Sequence, residues 1–403
     1  MKQQFLILLI IGICALLSGC WDKKELTDLS IVNAIGIDKT EHGRYLLTFQ
    51  IINPGNVAAE QSGGGGGSGG IPVTVYSTSG KNITDAARNA SKEISRMVYY
   101  AHANLVVIGK ELANEGIYPI FDALERDPQF RTTATIVISE NNSAEDMLKM
   151  LTPIDKLPAN KITKALKFTE RQLGENIDVD VDTVIANLVS DGKEPIISTF
   201  TVKGDLNKGK GQENTQTTEA AARLQANGLA LFKDGKLQGI EYGQTAKGII
   251  WILDKIKKTS ISINWKGKKN SINYQVVRSK TNVHSKFKKG RPIITVLIEA
   301  EGDIGEADIP INLKDPKNIH LLEKAIQKKI HHDISNTIKI VQNKKTDVFG
   351  FGDVIHQTFP KYWKKMNHDW NNHGFPELTV DVKVKVFIRR TGIRNDPYLS
   401  DIK

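Results

Sequence analysis

Hydrophobic and polar positions change period repeatedly along this chain, and each change marks a switch between strand and helix. Residues 30–38 (SIVNAIGID) and 44–52 (RYLLTFQII) are strand-like runs parted by His42-Gly43, which predicts a hairpin. A strand over 72–76 precedes a helix that starts near residues 82–85, with Asn82 or Thr84 as N-cap. That helix is expected to carry Ile83, Ala87, Ala90, Ile94 and Met97 on one face. Then come a strand over 104–109, a helix over 111–124, a strand over 131–139, helices over 141–151, 160–174 and 181–190, and a strand over 195–203. Residues 227–240 (NGLALFKDGKLQGI) form a second predicted hairpin, because Asp234-Gly235 suits the positive-φ turn that joins two twisted strands. A helix over 241–253 and several strands between 260 and 300 follow. The longest periodic element is 318–341, where Leu322, Ile326, Ile330, Ile334, Ile338 and Val341 make one apolar stripe backed by lysines. An alternating strand over 378–388 closes the pattern.

Short apolar strands separated by helices predict a mixed α/β (α+β), multi-domain protein with helices packed on mostly antiparallel or mixed sheets. In this reading the long C-terminal amphipathic helix lies across a sheet. Residues 204–222 are polar and rich in Gly, Lys, Gln and Thr, and are expected to be a linker or long loop. The organisation is thus an N-terminal region over 20–203, with a division considered near 140–150, and a C-terminal domain over 223–395. Residues 62–70 are almost pure glycine, so they cannot bury side chains and read as a flexible excursion. Gly66, Ser68 and Gly70 match G-x-S-x-G there by chance, since a nucleophile elbow needs a strained strand-to-helix turn.

The first 20 residues decide the compartment. Lys2 precedes an unbroken apolar run from Phe5 to Leu17, and Leu17-Ser18-Gly19-Cys20 ends it. The run falls short of the roughly 20 residues that span a bilayer, so it reads as an export signal. A cysteine directly after the cut can be alkylated through its thiol by a diacylglyceryl group. Residues 1–19 are therefore expected to be removed and Cys20 to carry the lipid, with a further palmitoyl group on its amine as an option. Cys14 lies in the removed segment, so the mature chain keeps no thiol for a disulfide and relies on ordinary cores.

A formal charge of +10 is concentrated in lysines at 255–269 and between Lys280 and Arg291. An exported lipoprotein does not meet nucleic acid, and the lysines alternate with strand-like residues, so solvated loops are expected rather than a membrane-binding face. Reactive constellations are scarce. Gly204, Gly209 and Lys210 imitate a phosphate-binding loop, but Gly211 stands where magnesium would need a hydroxyl. His331 and His332 are adjacent on one helix and point apart, and His368 and His373 flank Trp370 with no second cluster, so no metal site is expected. The aromatic residues of 363–370 read as core or interface. No catalytic triad, cofactor motif or zinc-protease motif stands out, and the chain reads as non-enzymatic.

Cys20-Trp21-Asp22 with KKELTDLSIVNAIGID resembles the opening of the Ger(x)C family, the lipoprotein C subunits of spore germinant receptors. The resemblance continues through RMVYYAHANLVVIGKELANEGI, LERDPQFRTTATIVIS, NGLALFKDGKLQGI and DVFGFGDVIHQTFPKYWKKMNHDW, and so covers nearly the whole mature chain. The Cys-Trp-Asp start and the R-D-x-x-x-R element at Arg126, Asp127 and Arg131 are its most specific parts, whereas the run Gly63 to Gly70 departs from the pattern. The resemblance implies a non-enzymatic subunit of mixed α/β fold in three domains, held by lipid at Cys20 on the outer face of the spore inner membrane. It implies integral membrane A and B subunits as partners, no nucleic acid, and no cofactor beyond the covalent lipid. The other classes considered are a solute-binding lipoprotein delivering a small nutrient to a transporter and a cell-wall hydrolase, which would need paired carboxylates in a groove.

Overall fold

In the computed structural model the described residues are 4, 25–58, 70–288 and 290–390. Cys20, the expected signal segment apart from Gln4, and the glycine run before Gly70 lie outside them. The strands of the first sheet are β1 (Leu29–Lys39), β2 (Tyr45–Ile52), β3 (Val73–Gly80), β4 (Met97–Tyr99), β5 (Leu105–Gly109), β6 (Thr135–Ser139), β7 (Ile196–Gly204), β8 (Ala222–Lys233) and β9 (Lys236–Glu241). They are ordered β3-β2-β1-β5-β6-β7-β8-β9, with β4 added against the start of β1. The β1–β2 and β8–β9 hairpins are antiparallel as the alternation predicts, whereas β1, β5, β6 and β7 run parallel. Parallel strands need crossovers, and the helices between them supply these.

Parallel central strands are apolar on both faces because helices cover both. Ile35, Ile37, Val106, Ile108, Ile136 and Ile138 point into one core with residues of helices Ile83–Asn89, Lys110–Glu115 and Tyr118–Arg126. Ala34, Leu105, Val107 and Val137 point the other way, towards helices Ala144–Lys149 and Pro158–Gln172. Gly36 shows how closely the second layer approaches: a Cβ there would lie 3.1 Å from Leu148 Cδ1 and 3.3 Å from Ala144 Cβ. Gly36→Val is accordingly expected to push this helix off β1 and to cost about 1–3 kcal/mol, measurable as a lower urea midpoint.

The second sheet holds β10 (Thr259–Trp265), β11 (Lys268–Lys288), β12 (Arg291–Ala307) and β13 (Thr379–Arg390), in that order. β13 pairs parallel with β12, and the crossover between them contains the long helix Pro316–Asn343. Leu322, Ile326, Ile330, Ile334, Ile338 and Val341 are all buried in it, so the predicted stripe is the packed face. The whole is an α+β fold with two mixed sheets and helices on both.

Several boundaries differ from the sequence reading. The helix after Asn82 ends early, in a 3₁₀ turn at Ala90–Lys92, and Met97 sits on β4 rather than on the helical face. Asn82 is the N-cap, its side chain accepting from Asp85 N. The expected helix over 111–124 is two helices, Lys110–Glu115 and Tyr118–Arg126, because Gly116 adopts φ 140° between them. Residues 204–222 are a connection inside one sheet: β7 returns antiparallel as β8 through two short helices, Leu206–Gly209 and Glu213–Gln216. Their polarity comes from exposed side chains, while Asn214 is buried and bonds Leu151 O, Ala222 O and Ala222 N at 2.7, 3.1 and 2.9 Å. The division considered near 140–150 falls within the same sheet, where β6 pairs with β7.

Candidate functional site

The R-D-x-x-x-R element leads to a cavity. Helix Tyr118–Arg126 ends at Asp127, and the following turn is held by Gln129 N donating to Asp127 Oδ1 at 2.9 Å. The Asp127 carboxylate also accepts from the Tyr100 hydroxyl, an interaction that together with burial raises the Tyr100 pKa. Arg126 is instead paired with Asp122 at 2.9 Å, one helical turn back, and Arg131 is exposed. Between this turn, helix Ile83–Asn89 and strands β1 and β2 lies a cavity of about 620 Å³. Ile35, Leu47, Phe49, Leu124 and Phe130 make its apolar floor, and Arg88, Arg96, Met97 and Asp127 stand among its polar and outer lining. Apolar walls with a few polar groups are the usual make-up of a small-molecule site.

A second polar cluster joins the two sheets. Asp347 is fully buried, and its carboxylate accepts from Gly350 N (3.0 Å), Phe351 N (3.2 Å), Gly352 N (2.8 Å) and Trp370 Nε1 (2.8 Å). It thereby caps helix Phe351–Thr358, whose entry at Gly350 has φ 75°. Glu194, just before β7, donates its N–H to Asp347 O at 2.9 Å and accepts from Asn371 Nδ2 at 2.6 Å and Asp234 N at 3.3 Å. Asn371 Oδ1 in turn accepts from Asp347 N at 3.0 Å. The turn of the β8–β9 hairpin, the start of β7 and the crossover before β13 are thus tied in one network. Trp363 and Trp370 pack beside it, so these aromatics are core, as expected from the sequence.

Burial pushes Glu194 up to about 7 and Asp347 up to about 6, against the hydrogen bonds that favour their charged forms. Asp38, buried beneath the N–H groups of Ala144 and Glu145, is likewise raised to about 6 by burial. A carboxyl whose folded pKa exceeds its unfolded value stabilises the fold below the unfolded value and loses that contribution as pH rises through the folded one. Stability is therefore expected to fall between about pH 4 and about pH 7 through these groups. The check is a urea midpoint higher at mildly acidic than at neutral pH, with the difference reduced in Glu194→Gln.

The remaining sequence candidates stay apart. His331 and His332 lie exposed on the long helix and His368 and His373 near the Trp370 turn, and no metal-holding group of His, Cys, Asp or Glu exists among the described residues. Lys210 of the loop-like glycine match is paired with Asp146 at 2.6 Å, and Gly209 is buried. The basic stretches sit on and around β10, β11 and β12, and partly in ion pairs: Lys280 with Asp254, and Lys268 with Asp308 at 2.6 Å. Cys20, the one expected modification site, lies outside the described residues. No described helix is long and apolar enough to cross a membrane. Sequence reasoning missed both the cavity and the Asp347 network. The only hint of the latter was the sequence Asp347-Val-Phe-Gly350-Phe-Gly352, where glycines let N–H groups crowd one carboxylate.

Comparison with known proteins covers almost the whole chain. Residues 22–202 match the model described as spore germination protein N-terminal domain, and residues 227–392 match spore germination B3/GerAC like, C-terminal. The chain is 44% identical to spore germination protein KC of Bacillus subtilis (strain 168), over 100% of this chain and 99% of that protein. It is 24% identical to spore germination protein B3 of the same organism, over 96% of each. The fold is similar to the crystal structure of the GerBC protein, with a TM-score of 0.56 at 19% identity, covering 91% of this chain and all of that one.

Proposed function

Since the chain belongs to the Ger(x)C family of spore germination proteins, we propose that it is the lipid-anchored, non-enzymatic subunit of a nutrient germinant receptor. A role in spore germination is what the full-length identity to spore germination protein KC supports, and that identity carries the reading. In this reading Cys20 bears the lipid, the two sheets stand on the outer face of the spore inner membrane, and the chain assembles with integral membrane A and B subunits. The sequence Leu17-Ser18-Gly19-Cys20 supports the anchor. Tethering raises the local concentration of the folded body near its partners, so weak contacts suffice for assembly. The test is a strain lacking this chain: its spores are expected to lose the nutrient-triggered fall in optical density, and to regain it when the chain is restored. Cross-linking in the restored spores is expected to recover the A and B subunits with it. Full nutrient response without the chain, or cross-linking to a transporter ATPase and permease instead, would refute the reading.

A further inference from the structure

We propose that the cavity beside Asp127 holds one anionic phospholipid, its acyl chain on the apolar floor and its phosphate between Arg88 and Arg96. The volume, about 620 Å³, falls within the roughly 300–1,000 Å³ of ligand sites. Its floor, built from Ile35, Phe49, Leu124 and Phe130, offers an acyl chain only apolar contact. The charge at the rim has one sign that is free to act. Arg88 and Arg96 line the cavity and are exposed, and neither guanidinium has an ion-pair partner among the described residues. Asp127, the carboxylate of the same lining, is already engaged by Tyr100 and Gln129 N. Arginine is the side chain best suited to a phosphate, since its planar fork presents paired donors.

Position favours a lipid from the bilayer over a ligand from solution. Arg96 directly precedes β4, whose Met97 pairs with Leu29 and is 40% exposed at the cavity. Leu29 follows Cys20 by nine residues, a span of at most about 30 Å when extended. β4 thus sets one wall of the cavity beside the start of β1, nine residues along the chain from Cys20. Only this choice of source rests on the anchored-subunit reading; the anionic, apolar chemistry of the ligand does not.

The experiment titrates the full chain, solubilised in neutral detergent, with a fluorescent short-chain phosphatidylglycerol. Saturable one-site binding is expected, displaced by dioctanoyl phosphatidylglycerol and not by dioctanoyl phosphatidylcholine or inorganic phosphate. Arg88→Gln with Arg96→Gln should weaken it at least about tenfold, the scale of one lost charge-assisted contact, and Ala87→Phe, which fills the cavity, should abolish it. Cys20→Ala should bind equally well, so a failed anchor would leave this result standing, and a failed titration would leave the anchor standing. Absence of saturable binding, equal displacement by phosphatidylcholine, displacement by phosphate or by dodecanoate alone, or arginine variants that bind like the wild type would each overturn the proposal.

Discussion

Asp347→Ala is expected to lower the stability of the protein by about 3–5 kcal/mol, because it leaves several buried donors without an acceptor at once. Four donors converge on this carboxylate between 2.8 and 3.2 Å, three from the backbone of residues 350–352 and one from the Trp370 indole. Truncation leaves these donors buried, and water has no open route to a group with no exposed surface. The loss is structural as well as energetic. Thr346 bonds Phe232 O on β8, Glu194 bonds Asp347 O, and Ser190 bonds Asp353 at 2.9 Å, so the same few residues fix the crossover of the second sheet against the first. Urea unfolding followed by Trp fluorescence and by far-ultraviolet circular dichroism should therefore separate into two transitions in the variant. Asp347→Asn keeps one acceptor oxygen but turns an NH₂ towards the other donors, and an intermediate loss of about 2 kcal/mol is expected. A loss below about 1 kcal/mol for alanine would mean that these bonds are replaced elsewhere.

Cys20→Ala is expected to be all-or-none in its effect on location. Each buried methylene contributes about 0.8 kcal/mol, so the two chains of a diacylglyceryl group hold a protein on a bilayer where one chain does so only marginally. No described helix offers an alternative span. The variant should either remain unprocessed or leave the membrane fraction, and labelled palmitate should enter the wild type alone. Nutrient-triggered germination should fall with it, since dilution of the folded body away from its partners removes the concentration advantage of the tether. An exported, soluble Cys20→Ala chain that restores the full nutrient response would show the tether to be dispensable.

Periodicity reached most of the elements because burial imposes it. The stripe Leu322 to Val341 is dictated by one buried face and the apolar run in residues 30–38 by burial on both faces of a central strand, and both are found where the pattern put them. The Asp234-Gly235 turn was equally legible, since its positive φ values of 50° and 70° are a property of the local chain. Boundaries were less so. Gly116 splits a helix whose apolar spacing runs on unbroken, and Ile117 N bonds Gly235 O instead of the preceding turn, a distant contact that no local pattern encodes. Residues 204–222 are the long connection that their polarity suggested, and what the polarity did not show is that Asn214 fixes the backbone from inside.

The sequence by itself determined the α+β class, the two hairpins, the long amphipathic helix and the family, because each rests on neighbours within a few turns of chain or on motifs read residue by residue. Only the tertiary structure decided that Glu194, Asp234, Asp347 and Asn371 form one network, and that Arg88, Arg96 and Asp127 line one cavity. Apart from Arg88 and Arg96, those groups lie tens to well over a hundred residues apart, and the interactions that unite them, burial of charge and convergence of donors, depend on distances in space that chain order does not carry.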